Sequence, residues 1–134
     1  LGFAFKADTN DTREAPAIRI CSDLLEEGAQ LAIHDPKVAP AQIARDLKLE
    51  AAVSADALSG TGSWGLAESV EAAVAGADAV LILTEWRQYR VLDWQELAGR
   101  MRKPAWVFDA RAVADPQQVR AAGLTLWRVG DGEG

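Results

Sequence analysis

Apolar residues fall in short runs separated by amphipathic stretches, and this alternation repeats along the chain. Residues 1–5 are almost wholly apolar and read as a strand. Ala17, Ile20, Cys21, Leu24 and Leu25 recur at helical spacing, behind a Pro16 suited to a first helical position and ahead of Gly28 as a terminator. Leu31-Ala32-Ile33 is a second short strand, closed by Asp35-Pro36. Residues 41–47 can form a helix. Residues 48–65 follow neither period and include Ser59-Gly60-Thr61-Gly62-Ser63, the composition of a flexible loop. A helix is expected over 68–75, closed by Gly76. Residues 79–83 are continuously apolar, as in a central strand buried on both faces. Residues 94–101 are amphipathic behind Asp93, a candidate N-cap. Residues 105–108 form another strand, 116–122 a helix and 124–129 a last strand, leaving 130–134 as a frayed tail.

Strands alternating with helices predict an α/β fold: a Rossmann-like three-layer sandwich with a parallel sheet of five or six strands. Five strands are evident, and the region without clear period leaves room for a sixth. The 134 residues fit one domain. The chain starts inside its first strand without an initiator Met and reads as a piece of a longer protein.

The net charge of −6 disfavours non-specific nucleic-acid binding, which depends on neutralising phosphates. It leaves room for a local cationic pocket. The single cysteine, Cys21, precludes an internal disulfide and suits a reducing, cytoplasmic setting. No apolar run approaches the ~20 residues that span a bilayer.

Three cations stand where parallel strands end. Lys6 follows the first strand, Arg13 precedes the first helix, and Arg111 follows Val107-Phe108-Asp109-Ala110. In a parallel sheet the carboxyl ends share one edge, where open α/β folds bind anionic ligands. Each also has an ordinary reading. Lys6 can be a solvated strand end held by nearby Asp residues, Arg13 can pair with Asp11 or Glu14, and Asp109 and Arg111 can stitch neighbouring loops.

Other polar groups carry weaker signals. Asp35 stands where dinucleotide-binding folds often keep a ribose-binding acid, but the first strand lacks Gly-x-Gly-x-x-Gly, so Asp35-Pro36 reads as a turn. Cys21 lies on an apolar helical face and reads as core. His34 has no companion for a metal site or a Ser–His pair, and reads as a strand-end or loop residue. Glu85, in Thr84-Glu85-Trp86, can orient a hydroxyl or salt-bridge a cation; the plainer reading is a helix start with Thr84 as its cap.

The segments Gly2-Phe3-Ala4-Phe5-Lys6, Thr9-x-Asp11-Thr12-Arg13-Glu14-x-Pro16, Asp35-Pro36-Lys37-Val38, Leu83-Thr84-Glu85-Trp86 and Lys103-Pro104-Ala105-x-x-Phe108-Asp109-x-Arg111 occur in order across nearly the whole chain. Together they resemble the C-terminal UDP-binding domain of the UDP-glucose 6-dehydrogenases, within the UDP-glucose/GDP-mannose dehydrogenase family. The resemblance implies an oxidoreductase that turns UDP-glucose into UDP-glucuronate with two NAD⁺. Its catalytic cysteine and NAD-binding fingerprint would lie elsewhere in a longer, homo-oligomeric enzyme, so this piece holds no catalytic residue and Cys21 is not the nucleophile. By the same resemblance Phe5, Lys6 and Arg111 contact the UDP-sugar, and Arg13 reaches NAD across an interdomain cleft. No metal is implied. Ala110 stands where the family usually has Gly, which would matter if that position required a positive φ. The alternatives are the same domain of a dehydrogenase acting on UDP-N-acetylmannosamine or GDP-mannose, and a non-catalytic nucleotide-binding module.

Overall fold

The computed structural model describes residues 1–13, 15–51 and 62–129. The expected loop over 59–63 falls largely, and the tail over 130–134 wholly, outside the described residues. Among the described residues five α-helices and five strands alternate: α1 (Pro16–Glu26), β1 (Gln30–Ile33), α2 (Pro40–Leu47), β2 (Ser63–Leu66), α3 (Val70–Val74), β3 (Ala79–Ile82), α4 (Trp94–Arg100), β4 (Trp106–Asp109), α5 (Pro116–Ala121) and β5 (Thr125–Arg128). A 3-10 turn, Arg87–Val91, lies between β3 and α4.

The helix starts follow local chemistry. Proline opens α1, α2 and α5, where its missing N–H costs nothing. The side chains of Ser69, Asp93 and Asp115 accept backbone N–H groups at the starts of α3, α4 and α5. Thr84 caps no helix; its hydroxyl donates to the Ala4 carbonyl at 2.7 Å.

All strand pairs are parallel, in two sheets: β1 with β2, and β3-β4-β5. The second strand of the first sheet comes from the region whose sequence showed no clear period. Residues 1–5, expected as a strand, form no ladder. They run as an extended and bent segment between the two sheets and tie them together. The Leu1 amino group donates to the Leu81 carbonyl at 2.6 Å, Leu83 N–H donates to the Leu1 carbonyl, and Gly2 N–H donates to the His34 carbonyl. The ladder stops because Gly2 takes φ +88° and because the next two N–H groups, of Phe3 and Ala4, turn to the Asp35 carboxylate.

The core runs through both sheets, with Phe3, Ile43, Trp64, Val74, Ile82, Tyr89, Leu97, Val107 and Val119 almost fully enclosed. The strand over Ala79–Ile82 is buried only at alternate positions. Ala79 and Leu81 instead border a cleft of about 740 Å³ between β1 and β3, which Leu1, Phe3, Cys21 and Ala32 also line. On the middle strand of the second sheet, β4, Trp106 and Phe108 stack on an exposed face with ring centroids 5.4 Å apart.

Candidate functional site

Parallel pairing puts the ends of β1, β3 and β4 on one edge, and the opening segment ends there too. Two buried carboxylates organise that edge. Asp35, just past β1, accepts five N–H groups: Phe3 and Ala4 from the opening segment, Lys37 and Val38 from its own turn, and the Trp86 indole. Its turn reading therefore holds, and the same carboxylate also fixes the backbone leading to Phe5 and Lys6. Asp109, the last residue of β4, is fully buried and accepts the N–H groups of Arg111, Val113 and Ala114 at 2.7–3.1 Å. That wraps the chain into the loop presenting Arg111.

Phe5 and Lys6 stand at the exposed mouth of a short loop, closed where Phe5 N–H donates to the Asp11 carbonyl at 2.7 Å. Phe5 is 43% exposed, a large apolar surface left in water. Tight packing holds the loop's stem. A Cβ on Gly2 would come within 2.4 Å of Thr84, so only glycine fits.

Glu85 joins this loop to Arg111. One carboxylate oxygen accepts the Ala7 N–H at 2.8 Å, and the other is ion-paired with the Arg111 guanidinium. Partial burial pushes the Glu85 carboxyl upward, but the Ala7 N–H and Arg111 outweigh it and hold the group below its ordinary value. The loop that carries Lys6 and the Arg111 side chain are thus tied to one carboxylate.

Arg13 stands slightly apart. Its side chain is 89% exposed, and the guanidinium grips Asp11 through two hydrogen bonds of 3.0–3.1 Å. Hydrogen bonds from Arg13 lower the Asp11 carboxyl to about 2. The preceding Thr12 is buried, donating to Asp46 at 2.6 Å and accepting from Gln42, so α2 carries the Arg13 loop.

The remaining candidates fall away from the cations. Cys21 is buried, and burial pushes its thiol up to about 11. His34 is buried with Nδ1 2.8 Å from the Tyr89 hydroxyl, and burial holds the imidazole below its ordinary value. Among the described residues no three His, Cys, Asp or Glu side chains are grouped to hold a metal ion, and no helix is long and apolar enough to cross a membrane. Ala110 is not at positive φ; the loop's left-handed residue is Ala112, at +58°. The alanine at 110 therefore carries no backbone penalty of that kind.

Sequence reasoning missed the brackets that build this edge. Asp35 was legible only as a turn and Asp109 only as a possible stitch between loops, because a carboxylate's N–H partners depend on how the chain folds back.

None of Lys6, Arg13 and Arg111 lines the cleft between β1 and β3; Lys6 and Arg13 are exposed and Arg111 is partly so. An edge with exposed cations, an exposed aromatic and fixed backbone suits an anionic, partly planar ligand. Residues 1–116 match the family model described as the UDP-glucose/GDP-mannose dehydrogenase family, UDP binding domain. The chain belongs to this family. It is 42% identical over 141 residues to UDP-glucose 6-dehydrogenase 5 of Oryza sativa subsp. japonica, and 41% identical over 137 residues to UDP-glucose 6-dehydrogenase 3 of Arabidopsis thaliana. Each match takes in 97% of this chain and 28% of the relative. The domain thus spans just over a quarter of the length of these curated relatives.

Proposed function

We propose that this domain binds the UDP moiety of UDP-glucose within an NAD-dependent UDP-glucose 6-dehydrogenase, and that the rest of the parent chain supplies the chemistry. The observation that supports this most directly is the Glu85-mediated meeting of the Lys6 loop and Arg111 on the sheet edge. A guanidinium and an ammonium there can neutralise a pyrophosphate, the guanidinium through two parallel N–H donors. Phe5 offers an apolar surface beside them. The role assigned to this chain is to bind and orient, while the nucleophile, the general base and the dinucleotide fingerprint are assigned to the rest of the parent chain.

Arg13 is assigned to the cofactor side. Its guanidinium meets solvent while Asp11 holds it from behind, a geometry that suits a phosphate arriving from another domain. Arg13 is the cation of this chain assigned to NAD, and the cofactor's main site is assigned to the remainder of the enzyme. Ligands of this kind commonly lie at domain interfaces, which fits the open edge. The parent enzyme is taken to be a cytoplasmic homo-oligomer.

The test is a calorimetric titration of the parent dehydrogenase with UDP-glucose, UDP-N-acetyl sugars and GDP-mannose, in the wild type and in Arg111→Ala. The expected result is preferential binding of UDP-glucose, weakened at least tenfold by the substitution. Unchanged affinity would remove Arg111 from the site, and a preference for GDP-mannose would move the domain to another branch of the family.

A further inference from the structure

The geometry points to Glu85 as a positioning residue that couples the Lys6 loop to Arg111, so that both cations reach a pyrophosphate together; the inference rests on the nucleotide-sugar reading above. Glu85 has one oxygen on the Ala7 N–H and the other on the Arg111 guanidinium. Ala7 adjoins Lys6, and the loop it belongs to is closed by the backbone hydrogen bond from Phe5 to Asp11 and held to α2 by Gln42, which donates to the Asn10 carbonyl. Glu85 is therefore the side chain that links this loop to the one after β4.

Its placement is itself firm. The adjacent Thr84 is fully buried, donates to the Ala4 carbonyl and packs against Gly2. On the other side, Trp86 is buried and donates to Asp35. The carboxylate therefore projects from a dipeptide that cannot easily turn. Without it, the Arg111 guanidinium loses the charged partner that fixes its orientation, and a long flexible cation loses affinity when a ligand must order it. The Arg111 backbone would stay in place, because Asp109 holds it independently. The third-of-surface exposure left to the Arg111 side chain gives a ligand room to approach while the Glu85 pair persists.

The two contacts of Glu85 can be separated. Glu85→Gln keeps an oxygen for the Ala7 N–H but loses the charge that aligns Arg111. Glu85→Ala loses both.

The experiment is a double-mutant cycle in the parent dehydrogenase, with UDP-glucose affinity measured by titration and with kcat and KM from steady-state rates. Expected are a rise of roughly tenfold or more in the Kd and KM for UDP-glucose in Glu85→Ala, a smaller rise in Glu85→Gln, and a KM for NAD within about twofold of wild type. The key expectation is non-additivity: Glu85→Ala combined with Arg111→Ala should bind UDP-glucose little worse than Arg111→Ala alone, as for residues acting through one another. A purely structural role would lower thermal stability and yet leave the two affinity losses additive, which overturns the inference. So would unchanged or tighter binding in Glu85→Ala while Arg111→Ala still weakens it. If Arg111→Ala has no effect, the site reading itself fails, and the two failures are thereby distinguished. Should Glu85→Ala fail to fold, Glu85→Gln carries the same cycle.

Discussion

Asp35 and Asp109 do the same work at the ends of two different strands: each is a buried carboxylate whose oxygens gather the backbone N–H groups of a segment that presents a cation. Asp35 gathers Phe3 and Ala4 ahead of Lys6, and Asp109 gathers Arg111, Val113 and Ala114. Charge-assisted bonds of this kind are stronger than neutral ones, and removing the acceptor strands buried donors at ~1–3 kcal/mol each. Asp35→Ala is therefore expected to destabilise the chain by at least ~3 kcal/mol, read from the urea midpoint. Asp109→Asn should cost less, since an amide keeps one accepting oxygen, but should weaken UDP-glucose binding in the parent enzyme by loosening the Arg111 loop. A midpoint unmoved by Asp35→Ala would show that the five N–H groups find other partners.

Lys48 ends α2 in the left-handed conformation, at φ +56°. A Cβ makes that conformation costly by roughly 1 kcal/mol, and glycine is the usual solution at such helix ends. Lys48→Gly should accordingly raise stability by up to ~1 kcal/mol, less whatever the more flexible unfolded chain takes back. A rise in Tm of a few degrees checks it; a fall would mean that the Lys48 side chain contributes packing along α2 that outweighs the strain.

Cys21 links the core to alkaline stability. Burial raises its thiol to about 11 in the folded chain, against about 9 for a free thiol. The native state favours the neutral thiol, so this contribution is complete below pH ~9 and is lost as pH rises toward 11. By linkage a shift of that size is worth about 2–3 kcal/mol. Cys21→Ala should flatten the fall in stability between those pH values. In the wild type at pH 8, a thiol reagent such as DTNB should react at the rate of unfolding; immediate reaction would contradict the burial.

The helices were legible because their signals are local. Pro16 and the capping residue Asp93 mark helix starts with chemistry that acts within one turn, and in the structure Pro40 and Pro116 open helices in the same way. Strands were legible where apolar runs were continuous, as over Ala79–Ile82. The strand Ser63–Leu66 was not, because it is only four residues long with a glycine inside it and its pairing with Gln30–Ile33 is set by a partner more than 30 positions away. The opening segment failed in the opposite sense. Its composition is that of a strand, but Gly2 and the Asp35 carboxylate take its backbone out of the ladder. The cations were readable from their positions after strands. What joins them was only half readable: Glu85 suggested a salt bridge, whereas its second bond, to a backbone N–H 78 positions away, exists only in the folded chain.

Arg13 gives the sharpest separation between the two ligands of the parent enzyme. Its guanidinium is paired with Asp11 alone among the described carboxylates, through bonds that leave most of its surface in water. Arg13→Glu would set two negative charges side by side, and the Asp11 carboxyl should climb from about 2 toward its ordinary 3.8 or beyond. An NMR titration of Asp11 reads that directly. The depressed carboxyl favours the folded state above pH ~4 and loses that contribution as pH falls toward 2, so the variant should show a shallower acid transition in this range. Because the pair is solvent-exposed, its effect on stability at neutral pH should be small. The kinetic effect should be large and selective: KM for NAD rising about tenfold or more, with KM for UDP-glucose within about twofold, since phosphate recognition by a bidentate guanidinium is not replaced by any neighbouring group. A rise confined to UDP-glucose would move Arg13 to the substrate, beside Lys6 and Arg111.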